Sequence, residues 1–476
     1  MSLNAALYEE NILLPASENG GFFIPQPWEQ LNGSRYTVLR KIGWGRHSSV
    51  WLAIDNTPCT EYQLREPYCA IKVLSISATK LWSCGIIQEL QILKALYPTG
   101  HYIRLRDYFL HPYTFDPTHH HLCLVLPLMS VTLDSLRQGC LVPPIPAKVV
   151  LRDLLNNLIA LHGLGLVHGD VRLSSMLLTH PYNNDTIDEI LCQTGEMEKN
   201  FHGYVESGGT RLPIWVSRPI ESAFETLDDV DDRGSFTLVG LSFARACGSN
   251  TTSTSPLIYP IELQSPELLL GGRLGWESDI WAVGCFTFQM LTGRKLFKPV
   301  SADCTESTKY DLLKQMTEAS GETFALAGGT LRNMPLWDKY FDSEGMLRCS
   351  LFDSLTASRI RCTMQLEEML REAIPPGLAK HAASFIRTCL TLDPSRRSTA
   401  KSLRRHSWQL DCNMPSLYRD TSPESETPVV DKDDHDVTVD YDDVRLGIGG
   451  RNFLRPVVGV KIILLVGVTS TRPADY

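Results

Sequence analysis

The sequence predicts an α+β fold in two lobes, the first rich in strands and the second mostly helical. Between Tyr36 and Leu126 the apolar residues fall in short runs rich in β-branched and aromatic side chains, separated by turn residues, which is the pattern of strands. Beyond Pro127 they recur at helical spacing. The third observation is bulk: 476 residues with 43% hydrophobic content suffice for a sizeable core shared by roughly two lobes or domains.

Residues 1–35 are rich in Gly and Pro and are expected to form an extended arm. Residues 36–126 form the first lobe. Its predicted strands are Tyr36–Leu39, Ser49–Ile54, Tyr68–Val73 and Leu122–Leu126, with a helix over Ile86–Leu96 that puts Ile87, Leu90, Leu93 and Leu96 on one face. Pro127 cannot donate to a ladder, so the last strand should end there and a linker begin. Residues 127–411 form the second lobe, with an amphipathic helix over Lys148–His162 and a buried one over Ser278–Thr292. Within it, 181–235 is polar, carries the acidic run Asp228–Asp232, and is expected to be an insert. Residues 412–476 form an acidic tail, dense in Asp, Glu, Pro and Thr between Asp420 and Asp443, and are expected to be disordered.

The net charge of −9 argues against a nucleic-acid binder, which needs a basic face. The 13 cysteines show no Cys-x-x-Cys spacing, which fits reduced thiols in the cytoplasm or nucleus. No apolar run reaches the roughly 20 residues that a bilayer requires. The longest, Pro456–Val468, contains Lys461 and is expected to be a strand or a poorly ordered tail. No membrane association is expected, and the chain is expected to be a monomer.

The chemistry sits in three blocks. In the first, Gly43 and Gly45 follow one strand and precede another, where glycine lets a backbone turn tightly and approach a phosphate closely; Ser48 and Val50 follow. A glycine pair alone fits a plain hairpin. Its weight comes from Ala70-Ile71-Lys72 further on, because a lysine in an apolar strand is costly to bury unless paired, and Glu89 in the next helix is available. The second block is His168-Gly169-Asp170-Val171-Arg172, closed by Ser175 and flanked by apolar runs. The third is Gln264-Ser265-Pro266-Glu267, then Asp279 opening the buried helix, then Asp393–Arg397 and His406-Ser407-Trp408. Arg397 is the expected buried partner of Glu267, and Asp279 is expected to accept hydrogen bonds from the backbone around Asp170.

In this order, over Tyr36 to Trp408, the sequence resembles the eukaryotic protein kinases, most closely the SR-protein kinases of the fungal type. The closer likeness rests on Gly20-Gly21-Phe22, Asn32–Tyr36, Arg40–Gly45 with Trp44 between the glycines, Ser48–Leu52, and an insert at 181–235. It covers roughly four-fifths of the chain, taken as one two-lobed domain. The resemblance implies a protein kinase fold and phosphoryl transfer from ATP to serine or threonine of a protein rich in Arg and Ser. It places Ile42, Gly43, Gly45, Ser48, Val50, Ala70 and Lys72, with the hinge from Pro127 to Met129, around ATP. Glu89 would pair with Lys72, Asp170 would accept the substrate hydroxyl proton, and Arg172 stands where the family has a lysine. Gly169 replaces the arginine that reads a loop phosphate, so switching by loop phosphorylation is not expected.

Two departures concern magnesium. Within Phe236–Ala244 the turn reads Gly240-Leu241-Ser242 where the family has Asp-Phe-Gly, so Gly240 stands where the family has the metal-holding aspartate, and Ser175 stands where it has an asparagine. The expected consequence is that the phosphate-positioning and proton-accepting groups survive while magnesium is poorly held, so that transfer is weak or absent. The alternatives are an active kinase with an unusual metal arrangement and a nucleotide-free scaffold.

Overall fold

The computed structural model describes residues 20–57, 67–100, 102–137, 139–179, 187, 191, 201–207, 209–215, 235–248, 260–299, 306–327, 329–348, 366–410, 444–448 and 451–455. The acidic run at Asp228–Asp232, the tail between Asp420 and Asp443 and the run Pro456–Val468 lie outside them. The chain divides into two units, Met1–Leu417 and Tyr418–Tyr476. In the second, Val444–Ile448 and Arg451–Arg455 pair as an antiparallel hairpin.

The first unit begins with a six-stranded antiparallel sheet: β1 (Gln30–Leu31), β2 (Tyr36–Gly45), β3 (Ser48–Asp55), β4 (Tyr68–Leu74), β5 (Asp107–Tyr113) and β6 (Asp116–Pro127), in the order β1-β2-β3-β4-β6-β5. The predicted strands all form, longer than the apolar runs that marked them. Edge strand β5 was not foreseen, because Tyr108 and Leu110 alternate outward and are exposed. Strand residues alternate between faces. Trp51, Ala53, Ile71 and Val73 pack on one face under Phe23 and Leu31 of the N-terminal arm. The other face carries Val50, Leu52, Ala70 and Lys72, with Val50 opposite Lys72 and Leu52 opposite Ala70.

Helix α1 (Ile76–Ser83), absent from the sequence reading, starts because the Ser75 hydroxyl caps the Ala78 amide at 3.3 Å, while the Gly20 and Gly21 carbonyls take the Ser77 and Ile76 amides. Gly85, at φ 73°, interrupts the helical path, and the chain re-enters it as α2 (Glu89–Leu96). The predicted start at Ile86 is therefore corrected, and Glu89 is the first residue of its helix and not a central one. An acidic side chain is favoured there by the helix dipole. Ile87, Leu90, Leu93 and Leu96 are buried as expected.

Beyond β6, among the described residues, the helices of eight residues or more are α3 (Pro144–Gly163), α4 (Trp276–Thr292), α5 (Glu306–Ser320) and α6 (Pro376–Cys389). They share one large core with Trp281, Phe286, Phe385 and Trp408. Short pairs β7 (Leu166–Val167) with β12 (Arg245–Ala246), and β8 (Met176–Leu178) with β11 (Phe236–Leu238), hold the chemistry-bearing loops between them. The insert is not merely a polar loop: β9 (Phe201–Ser207) and β10 (Thr210–Trp215) form a hairpin whose Val205 and Ile214 pack on Phe22 of the arm.

Candidate functional site

Lys72 emerges from the middle of β4, and its Nζ lies 2.7 Å from both Glu89 carboxylate oxygens. Both side chains are largely buried, so the pair satisfies the burial cost that made Lys72 conspicuous. Val50, Ala70 and Lys72 share the inner face of the sheet, with Leu124 opposite Lys72 and Leu126 opposite Ala70 on β6. Pro127 is the last residue of β6, opposite Cys69, and half-buried Met129 follows.

Gly43 and Gly45 differ from their predicted role. Both lie within β2, opposite Val50 and Ser48, and neither has a left-handed backbone. The turn is made by Arg46 and His47, with a register shift between Lys41 and Gly43. What the glycines provide is open space: among the described residues nothing lies within 4 Å of a Cβ placed on Gly45, and on Gly43 only the Val50 Cβ reaches 4.0 Å. Ile42 packs inward beside Leu39 and Leu52, and Ser48 is buried.

The loop after β7 is organised by Asp279, the fourth residue of α4. Its carboxylate accepts the amides of His168 at 2.7 Å and Gly169 at 2.9 Å and faces the His162 ring at 2.9 Å. Burial acts to raise this carboxyl, but the His162 interaction and the neighbouring donors outweigh it and hold it below its usual range. His168 is buried, and burial pushes its imidazole below its ordinary value. Its two ring nitrogens divide their work as a neutral imidazole requires: Nδ1 accepts from the Asp170 amide at 3.1 Å, leaving Nε2 to donate to the Val239 carbonyl at 3.1 Å.

Asp170 is itself buried, and burial raises its carboxyl to about 6, against the lowering effect of Arg172 at 3.0 Å. Above that pH it is an ionised, partly desolvated acceptor. Ser175 does not point a free hydroxyl at this space: its Oγ donates to the Asp170 carbonyl at 2.9 Å. Gly240 follows β11 at φ 86° and ψ 38°, the left-handed region, with nothing among the described residues within 4 Å of a placed Cβ. Strand β11 is fixed by α3, whose Asp153 accepts the Phe236 amide and whose Asn157 accepts the Leu238 amide. Among the described residues no group of three or more His, Cys, Asp or Glu could hold a metal ion.

One residue marked in the sequence only as an altered position of the turn, and one not marked at all, complete the site. Ser242, buried two residues past Gly240, donates to Glu89 Oε2 at 2.6 Å and stands 3.2 Å from Lys72 Nζ. That position places a hydroxyl within the apolar run Leu238–Ala244. Ile187, with Leu191, packs from the insert onto the inner side of the sheet, in one cluster with Leu39, Leu52 and Tyr68 and beside Ile42 and Leu128. The spacing of four between Ile187 and Leu191 was the available signal. The remaining foreseen contact is present: Arg397 forks onto Glu267 at 2.8 and 3.1 Å.

A cavity of about 190 Å³ adjoins the loop, lined by Asp134, Arg172, Ser174, Glu262, Gln289 and Lys295 among others. Glu262 is paired with the exposed Lys295 at 2.7 Å, and Asp134 with Arg137.

The protein kinase domain family matches residues 230–409. The serine/threonine-protein kinase SRPK of Physarum polycephalum is 25% identical over 83% of this chain and 90% of its own length. Protein kinase dsk1 of Schizosaccharomyces pombe is 22% identical over 85% of this chain and 86% of its own. A shorter stretch, 43% of this chain, is 29% identical to 26% of serine/threonine-protein kinase SKY1 of Saccharomyces cerevisiae.

Proposed function

We propose that this chain, which carries an SRPK-like serine/threonine protein kinase domain, holds ATP through Lys72 and the inner face of its sheet, and that phosphoryl transfer to protein serine or threonine is weak or lost. The observation carrying the second half is the state of the two metal-ligand positions. Gly240 has no side chain, and the Ser175 hydroxyl is committed to the Asp170 carbonyl. The residues present therefore do not fit magnesium, and nothing in this proposal runs through it. Metal charge stabilisation is worth several kcal/mol, and each 1.36 kcal/mol is tenfold in rate, so the loss amounts to orders of magnitude.

The nucleotide fits better. Lys72 is oriented by Glu89 toward the face shared with Val50 and Ala70, where it would hold phosphate oxygens, and the open backbone at Gly43 and Gly45 would admit them closely. ATP, when bound, supplies the transferable phosphoryl group. Asp170 would accept the hydroxyl proton above about pH 6, and Arg172 would keep positive charge beside it. The Asp134 and Glu262 carboxylates in the adjoining cavity suit basic residues next to the serine, because exposed pairs such as Glu262 with Lys295 contribute little and exchange readily. This supports an Arg/Ser-rich protein as substrate or partner.

The test is a thermal-shift titration of ATP with and without magnesium, beside transfer to an Arg/Ser peptide. The wild type should be stabilised by ATP to a similar degree in both conditions, Lys72→Met should abolish that stabilisation, and transfer should be at background. The double variant Gly240→Asp with Ser175→Asn should make ATP stabilisation magnesium-dependent, since Gly240 has room for a side chain and aspartate tolerates left-handed backbone. Turnover by the wild type that Lys72→Met removes would overturn the weak-transfer reading. Absence of any ATP shift would leave only a scaffold.

A further inference from the structure

We infer that Ser242 is a positioning residue for Lys72, and that its hydroxyl couples the turn after β11 to the Lys72–Glu89 pair. The inference rests on the nucleotide reading above for its purpose, but its geometry stands alone. Lys72 belongs to β4, Glu89 opens α2, and Ser242 lies in the turn that follows Gly240. The Ser242 Oγ donates to Glu89 Oε2 at 2.6 Å and, at 3.2 Å, accepts from Lys72 Nζ, which lies 2.7 Å from both Glu89 oxygens. This closes a ring of charge-assisted hydrogen bonds across three elements, in a place sheltered from water.

The position matters because of what precedes it. With glycine at 240, the turn presents no side chain to a nucleotide or a cation, so it cannot be drawn to the phosphates from that residue. Ser242 reaches instead the groups that flank the phosphates. The packing of the turn is a separate matter: the neighbouring Leu241 is buried among Leu90, Leu93, Leu161 and Leu166. Removal of the Ser242 hydroxyl therefore leaves the turn anchored and acts on Lys72.

The experiment compares Ser242→Ala and Ser242→Thr with the wild type, using Ser242→Cys in place of the alanine variant should that unfold. Without nucleotide, the rate of Lys72 acetylation by N-hydroxysuccinimidyl acetate is followed by peptide mass spectrometry, with exposed Lys295 as internal reference. Ser242→Ala should speed Lys72 modification about tenfold to a hundredfold, the scale of one hydrogen bond to a charged group. Ser242→Thr should match the wild type, and Lys295 should be unchanged in all. Calorimetry without magnesium should show ATP binding weakened by about the same factor in Ser242→Ala and restored in Ser242→Thr. Equal Lys72 reactivity in all variants overturns the inference. Faster Lys72 modification with no ATP binding by any variant supports the positioning role and overturns the nucleotide reading alone.

Discussion

Asp170 carries its charge where burial disfavours it, and this gives the protein a readable pH dependence. Its carboxyl is raised from 3.8 to about 6, so the folded chain binds that proton more tightly than the unfolded chain does. The associated stability is fully present below about pH 4 and is lost as pH rises through about 6. Asp170→Asn has no charge to bury there. Its unfolding free energy, read from urea denaturation, should gain on the wild type between pH 4 and pH 6.5 and then hold a constant lead, on the order of 3 kcal/mol for a shift of about two units. A pH-independent difference between the two would show that Asp170 is not the group responsible. At this scale the sequence was informative wherever a polar residue stood against its surroundings: Lys72 in an apolar strand, Asp279 in a buried helix, Glu267 awaiting Arg397. It was uninformative about the partners of Ser242, because a hydroxyl in an apolar run has the same appearance whether it bonds its own backbone or a distant ion pair.

Helix α4 is legible from its apolar run, yet its closest contact depends on a residue with no side chain. A Cβ on Gly284 would lie 2.9 Å from the Cys389 Cβ and 3.0 Å from the Leu390 Cδ2, both in the buried segment at the end of α6. Alanine has the better helix propensity by about 1 kcal/mol, but overpacking between two buried helices costs about 1–3 kcal/mol. Gly284→Ala should therefore lower the midpoint of urea denaturation, and Gly284→Val should lower it further; an increase in the midpoint for either would refute the close contact. Other elements were misjudged for equally local reasons. The start of α2 was placed early because Ile86 and Ile87 extend the apolar pattern past the break at Gly85. The glycines of β2 were assigned to a turn that Arg46 and His47 make.

For the whole first unit, order along the chain was legible and long-range docking was not. The arm and the insert looked peripheral, one rich in Gly and Pro and the other polar. They meet through Phe22, Val205 and Ile214, while Trp215 of the insert packs against the outer face of the sheet. No local period encodes a contact between residues so far apart in sequence; it depends on which apolar side chains remain uncovered once the sheet has formed. Replacing residues 201–215 by a short Gly-Ser linker should lower the melting temperature and increase binding of a dye for exposed apolar surface. Phe22→Ala should produce the same two changes more weakly, costing about 3 kcal/mol as a buried aromatic. An unchanged melting temperature in both would mean that the hairpin contributes nothing to the fold.

The other end of the insert bears on inhibitor design. Ile187 shares its cluster with Leu39 and Leu52 and lies beside Ile42 and Leu128. A heterocycle placed beside Leu128, where the proposal seats the nucleotide, would meet the branched aliphatic side chain of Ile187 contributed by the insert. If ATP is held as proposed, selectivity for this chain can be sought in a substituent sized and shaped against Ile187.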